Sequence, residues 1–346
     1  MDSTTNVADQ PTQAPAESGG LLVAIVNYRT PRLVVECLQE LEPEMRSRSK
    51  AKVVVVDNDS GDGSVELIQG AIAQFGWQSW AEVLPSAHNG GYAYGNNLAI
   101  RPALASDTPP DYIWLLNSDA QARPGAVQAL IDFLDTHPQA GIVGSCLLNP
   151  DESDWAMAFR FPTVLSELER GFRLGFMSKL LANWAVPRSM GKEPESVDWL
   201  PGASMMIRRQ VFESIGLMDE DYFLYYEETD FCLQSKRAGW ECWYVPESKV
   251  MHIAGQSTGV TSRQEVAPKR LPQYVFDSRR RYFVKNHGFL YALLTDLAWA
   301  VGFASWRLRR VLQRKPDTDP PHLLWDSIRN SVFLKGFQSN PQAEQS

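Results

Sequence analysis

The chain has 346 residues, 44% hydrophobic and 21% charged, enough for a sizeable core and within the range of an ordinary globular protein. Its net charge of -8 argues against a general nucleic-acid binder, which needs a basic face to neutralise phosphates. The four cysteines, Cys37, Cys146, Cys232 and Cys242, form no C-x-x-C pair, so neither a zinc site nor a thioredoxin-like motif is indicated, and they read as reduced core residues of a cytosolic protein.

Residues 1–20 are rich in Ser, Thr, Pro, Gln and Ala, lack the basic and apolar regions of a signal peptide, and read as a disordered leader. The first strand is expected over Leu21 to Val26, ending at Asn27-Tyr28-Arg29-Thr30-Pro31, with a helix through Leu33, Val34, Cys37, Leu38 and Leu41 after it. A second strand, Val53 to Val56, stops at the polar run Asp57 to Ser64 and is followed by a periodic segment around Val65, Leu67, Ile68 and Ile72. Strand, helix, strand, helix implies a parallel sheet with helices on its faces. A Gly/Asn-rich loop is expected at His88 to Asn97, then a strand Tyr112 to Leu116 ending at Asn117-Ser118-Asp119. Each polar cluster follows a strand's carboxyl end, where open α/β sheets bind ligands. From about Asp151 the alternation weakens, and Trp199 to Ile207 reads as a returning, partly antiparallel strand.

Asp119 stands where a carboxylate can meet a hard divalent cation and help hold a diphosphate, although a polar strand end is also an everyday feature. Asp57 has two readings, an acceptor for the imide N–H of a pyrimidine base or an N-cap or Asx-turn. The glycines of the His88 to Asn97 run allow close backbone approach to ribose and phosphate, but the run lacks Walker-loop spacing and no G-x-G-x-x-G follows the first strand. Three carboxylates, Glu227, Glu228 and Asp230, lie beside Phe223, Leu224, Tyr225 and Tyr226, which suits a general base with a raised pKa and equally the acidic first turn of a helix. His252 follows an apolar stretch and reads as a core residue or a ligand.

In order along the chain, these segments resemble bacterial family 2 glycosyltransferases, in particular the rhamnosyltransferase-like branch. The resemblance rests on Ile25-Val26-Asn27-Tyr28, Val56 to Ser64, Asn89 to Asn97, Leu116-Asn117-Ser118-Asp119, Trp199-Leu200-Pro201-Gly202-Ala203, Ile215 to Glu220, and Tyr226 to Cys232. It departs from the family pattern at Asn117, where the first Asp of a DxD motif often stands, and at Glu227-Glu228, where Glu-Asp is usual. It implies a GT-A fold, a Rossmann-like, mostly parallel sheet flanked by helices with a C-terminal helical appendage. The implied division is a catalytic domain over 21–265, with a nucleotide-sugar half at 21–150 and an acceptor half at 151–265, followed by a helical region at 266–346.

The resemblance further implies an inverting transfer from a nucleotide-diphosphate sugar, dTDP-rhamnose or otherwise a UDP-hexose, to a glycan or lipid-linked glycan in surface polysaccharide biosynthesis. Carried over residue by residue, the base falls on Glu228 with Glu227 as its rival. Donor contacts fall on Asn27, Tyr28, Asp57, Asn58, Asn89, Gly95, Asn96, Asn117 and Ser118, and acceptor contacts on Trp199, Gly202, Ala203 and Asp230. Asp119 and His252 would hold Mn²⁺ or Mg²⁺, the histidine favouring manganese. The alternatives are a nucleotidyltransferase, for which Asn27 to Pro31 is a poor activation loop, and a non-catalytic binding module, which needs no base. Toward the C-terminus, the apolar run Phe289 to Trp306 is followed by Arg307, Arg309, Arg310, Arg314 and Lys315 and is broken by Asp296, short of a secure transmembrane span. It reads as an amphipathic helix, giving peripheral contact through 289–315 at the inner face of the cell membrane, or as a buried helix packed on the domain.

Overall fold

The computed structural model describes residues 19–155, 157–253 and 269–336. Residues 1–18 of the leader and the boundary at 265–266 therefore lie outside the described residues. In chain order the elements are β1 (Leu21–Asn27), α1 (Pro31–Arg46), β2 (Ala51–Asp57), α2 (Ser64–Phe75), β3 (Ala81–Pro85), α3 (Gly91–Leu104), β4 (Tyr112–Asn117), β5 (Ala120–Ala122), α4 (Ala126–Thr136) and β6 (Ala140–Leu148). Next come β7 (Asp154–Trp155), β8 (Met157–Phe159), α5 (Val164–Phe172), α6 (Gly175–Leu180), β9 (Pro187–Ser189), β10 (Glu195–Val197), β11 (Ser204–Arg208), α7 (Arg209–Ile215), α8 (Glu227–Arg237) and β12 (Glu241–His252). Four helices close the described chain, α9 (Gln273–His287), α10 (Phe289–Leu312), α11 (Leu323–Arg329) and α12 (Val332–Lys335).

The main path of the large sheet runs β10-β12-β6-β11-β4-β1-β2-β3. Strands β4, β1, β2 and β3 are mutually parallel, and β11 returns antiparallel between β4 and β6. Strands β4, β1 and β2 are nearly all apolar because both faces of the sheet are covered there, whereas the edge strand β3 exposes Glu82 and Pro85. Val23, Ile25, Val53 and Val55 face α1, α2 and α4, while Ala24, Val54, Val56 and Leu115 face α3, α7 and α8. All four cysteines are free and buried.

One departure from the sequence reading concerns a helix. Residues 91–97 are not loop but the first turns of α3, although glycine and asparagine are poor helix formers. Tertiary contact overrides propensity here: a Cβ on Gly95 would lie 2.9 Å from Val26, and Asn97 donates to the Met218 carbonyl at 2.8 Å and to Glu220 at 2.9 Å. At the C-terminus the helices are joined to the catalytic domain. Lys285 of α9 bridges Asp219 at 2.7 Å and Asp230 at 2.6 Å, and Arg281 bridges Asp219 at 2.8 Å. Helix α10 extends over 24 residues, beyond the apolar run, and is long and apolar enough to cross a membrane by length and composition alone. One of its faces is packed on α5 at a small-residue crossing, where a Cβ on Gly302 would lie 2.8 Å from the Phe172 nitrogen.

Candidate active site

The register of the parallel strands brings the polar strand ends together. Asn27 and Asp57 are paired across β1 and β2, and the Asn27 amide donates to Asp57 Oδ1 at 2.7 Å. Ser60 closes a capping-type turn on the same carboxylate, its hydroxyl donating to Oδ1 at 2.7 Å and its N–H to Oδ2 at 3.1 Å. The turn reading of Asp57 is thus realised. A carboxylate oxygen accepts two hydrogen bonds, so Oδ2 keeps one lone pair for a base imide. Thr30 links this knot to the next strand end, donating to Asn27 Oδ1 at 3.1 Å and meeting the Ser118 hydroxyl at 3.1 Å. Tyr28 lies beside it with the Arg29 guanidinium 5.0 Å from its ring centre.

Asn58 ties the turn to the start of α3, donating to Asn89 Oδ1 at 2.8 Å and to the Gly91 carbonyl at 3.0 Å. Asn96 donates to the Tyr92 carbonyl at 3.0 Å, and the side-chain oxygens of Asn58 and Asn96 are buried without a partner among the described residues. Such acceptors lose hydration without compensation, so a donor from a bound molecule would be favoured there.

Asp119 follows β4 directly, whereas His252 arrives from the far end of β12. The pairing of β12 with β5 sets His252 opposite Ala120, which brings its Nε2 to 3.2 Å from Asp119 Oδ1. The Asn117 amide nitrogen is also 3.2 Å from Nε2. With Nε2 as a lone-pair donor, it and the Asp119 carboxylate would be two acceptors sharing one cation. Cis ligands each about 2.1 Å from an octahedral ion lie about 3 Å apart, so the residues fit a divalent metal. Among the described residues no third His, Cys, Asp or Glu joins them.

Across the cleft, Tyr225 and Tyr226 both hold positive φ, 70° and 69°, immediately before α8. Left-handed tyrosine is strained by about 1–3 kcal/mol per residue, and two in succession aim the first turn of α8. Glu227 is buried with Oε2 unpartnered among the described residues. Glu228 is half-buried, and its Oε1 accepts from the Gly202 N–H at 3.1 Å. Burial raises both carboxyl pKa values; the neighbouring Glu228 charge lifts Glu227 further, while the Gly202 N–H restrains the rise at Glu228. A Cβ at 202 would lie 2.5 Å from the Tyr92 hydroxyl and 2.9 Å from Glu228, so a larger residue there would displace both side-chain ends.

Tyr92, which the sequence reading left without a role of its own, donates to the Gly202 carbonyl at 2.8 Å. Its hydroxyl pKa is pushed well up by burial and then by the charges of Glu228, Glu227 and, more weakly, Asp119. Only the fold could reveal this residue, since its partner is 110 positions away. Of the expected acceptor contacts, Ala203 is buried and accepts from the Asn117 N–H at 3.2 Å, and Trp199 stacks on Phe159 at 4.3 Å. Asp230 departs from the expectation. It is buried and accepts from Lys285 at 2.6 Å and Asn286 at 2.6 Å, so its carboxylate docks α9 instead of presenting to an acceptor.

This strand order, with polar strand ends lining one edge of the sheet, is that of the GT-A fold. The same fold occurs in GalNAc-T7 solved with UDP, GalNAc and Mn²⁺, at TM-score 0.55 and 14% identity, over 87% of this chain and 56% of that one. It occurs also in the mannosyltransferase PcManGT of Pyrobaculum calidifontis solved with GDP-Man and Mn²⁺, at TM-score 0.51 and 17% identity, over 87% of this chain and 76% of that one.

The chain belongs to the family described as "Glycosyltransferase like family 2", whose model matches residues 18–267. It is 30% identical to the N-acetylglucosaminyl-diphospho-decaprenol L-rhamnosyltransferase of Mycobacterium tuberculosis over 65% of this chain and 73% of the relative. To the rhamnosyltransferase WbbL of Escherichia coli it is 28% identical, over 47% of this chain and 61% of that protein. The protein is therefore a glycosyltransferase, which sets aside the nucleotidyltransferase and the non-catalytic module.

Proposed function

We propose that the protein transfers L-rhamnose from dTDP-rhamnose, with inversion, to a hydroxyl of a lipid-linked glycan in surface polysaccharide assembly. The names of its rhamnosyltransferase relatives support the donor, and the diphospho-decaprenol acceptor of the mycobacterial one supports the acceptor class. The observation that carries the chemistry is Glu228, half-buried at the cleft, restrained by the Gly202 N–H and raised in pKa by burial. In this reading Glu228 takes the proton of the acceptor hydroxyl as its oxygen bonds to the anomeric carbon. The carbon–oxygen bond to the diphosphate breaks with its electron pair on the leaving oxygen, so one base suffices and no acid carboxylate is needed. Asn27, Tyr28, Asp57 and Asn58 hold the base and ribose, Asn89, Gly95 and Asn96 line the donor cleft, and Asn117 and Ser118 flank the diphosphate. A divalent cation, Mn²⁺ or Mg²⁺, bound by Asp119 and His252 would neutralise charge on the leaving diphosphate. Free, buried cysteines accord with a cytoplasmic reaction.

The test is release of nucleoside diphosphate from a panel of nucleotide sugars, with Mn²⁺, Mg²⁺ or EDTA. Turnover of dTDP-rhamnose that needs the metal and is abolished in Asp119→Ala is expected; preference for a UDP-hexose would replace the donor, and release unaffected by EDTA would remove the metal from the reading.

A further inference from the structure

We infer that the C-terminal helices form a face that lies on an anionic lipid bilayer, with α10 parallel to the membrane plane rather than across it. Helix α10 has two unlike sides. Ala292, Thr295, Trp299, Gly302 and Phe303 are buried. At 100° per residue, Leu290, Leu294, Leu297, Val301 and Leu308 fall on the opposite side, and all are exposed, Leu290 to 74% and Leu308 to 63%. A soluble surface helix carries polar residues on that side. The helices packed against α10 carry exposed apolar residues of their own, Trp325 on α11 and Phe333 and Leu334 on α12. Scattered apolar residues are ordinary, but a continuous stripe of this kind marks an interaction surface.

Charge selects the occupant. Phe289 to Lys335 holds seven Lys and Arg against four Asp and no Glu, in a chain of net charge -8. Each of those aspartates is already paired: Asp296 with Arg279, Asp317 with Arg307 and Arg310, Asp319 with Arg173, and Asp326 with Arg270. By contrast, Arg314, Lys315, Arg329 and Lys335 are exposed, with no carboxylate at ion-pair distance among the described residues. Apolar side chains beside uncompensated cations match the acyl boundary and headgroups of an anionic bilayer. A second copy suits the face less well, because a two-fold contact would set the same cations against each other. A spanning helix would have to leave α5, where the crossing at Gly171 and Gly302 is too close for any larger residue.

This face deepens the lipid-linked acceptor reading and rests on it for its purpose, but its test does not need the reaction. Full-length protein is spun with vesicles of phosphatidylcholine alone and of phosphatidylcholine with phosphatidylglycerol, without donor or acceptor. Sedimentation with the anionic vesicles is expected, weakened about tenfold or more both by the combined Leu294→Glu, Leu297→Glu and Val301→Glu changes and by Arg314→Glu with Lys315→Glu. Both variants keep their circular dichroism and their hydrolysis of the donor. Protein left in the supernatant with anionic vesicles, or variants that bind as the parent does, would overturn the proposal, as would a dimer in solution that the triple variant dissociates. Loss of donor turnover across the whole panel, with vesicle binding intact, would sink the donor reading and leave this one standing.

Discussion

Two adjacent glutamates on the first turn of α8 sit in different surroundings, and the difference divides their roles. Glu228 reaches the cleft and is steadied by the Gly202 N–H, whereas Glu227 is buried with one oxygen unpartnered among the described residues. Glu228→Gln should lower kcat by about 100- to 10,000-fold with donor KM little changed, the range for removal of a general base. The base works deprotonated, so kcat/KM should climb as pH rises through an apparent pKa above the ordinary glutamate value, and that titration belongs to the pair. Stability should move oppositely at Glu227. Its folded pKa is raised, so its contribution is greatest below the unfolded pKa near 4.3 and is lost as pH rises through the folded value. Glu227→Gln is therefore expected to raise Tm at neutral pH and to leave it nearly unchanged at pH 4, as thermal melts at the two pH values would show. A lower Tm at pH 7 would show that the backbone hydrogen bonds from Tyr225 and Glu227 to this carboxylate outweigh its burial.

At the level of elements, what could be read from the sequence followed from how self-contained each element is. Strands β1, β2 and β4 are continuous apolar runs because both faces are covered, and a single window shows this. Strand β6 is just as buried but is diluted by Gly141, Gly144 and Ser145, which make room for Trp240, Leu200 and Ser248, so its reason for being a strand lies elsewhere in the chain. Helix α3 opens on Gly91 because the chain must pass the 223 turn: φ is +88° and a Cβ would lie 1.9 Å from the Phe223 carbonyl oxygen. The site was legible to the same degree. Asp119 stands at the end of a visible strand, while the pairing of His252 with it depends on β12 meeting β5, which only the family resemblance anticipated. Gly91→Ala should therefore destabilise by about 2 kcal/mol or more, since backbone has to move, and should lower donor turnover through the Tyr92 and Glu228 contacts. Chemical denaturation followed by fluorescence would measure the loss; a change under about 0.5 kcal/mol would show that the 91–223 contact is not what sets the turn.

Across the whole molecule, the C-terminal helices support the catalytic turn from behind. Asp219, before the strained tyrosines, and Asp230, after the glutamates, both receive Lys285, and Ser278 donates to the Leu224 carbonyl at 2.9 Å. Burial alone would raise the Asp219 carboxyl, but Lys285 and Arg281 outweigh it and hold the group below the usual carboxylate range. Its stabilisation is thus present above the unfolded pKa near 3.9 and lost as pH falls through the lower folded value. A chain ending at residue 268 would remove the Lys285 cation from Asp230 and strip the cover from Tyr222 and Leu233. Re-exposing one fully buried Leu-sized side chain forfeits about 1.5–3 kcal/mol, a large fraction of the stability of a domain. The truncated protein is therefore expected to lose donor hydrolysis and to melt well below the full chain, whereas the stripe variants of α10, which touch only exposed side chains, keep both. Lys285→Ala should lie between them, because Arg281 still serves Asp219, and Asn286 and Gln234 still donate to Asp230. If the truncated chain hydrolysed donor at the parent's rate, the strained turn would be held by the catalytic domain alone, and the C-terminal helices would serve only the bilayer face.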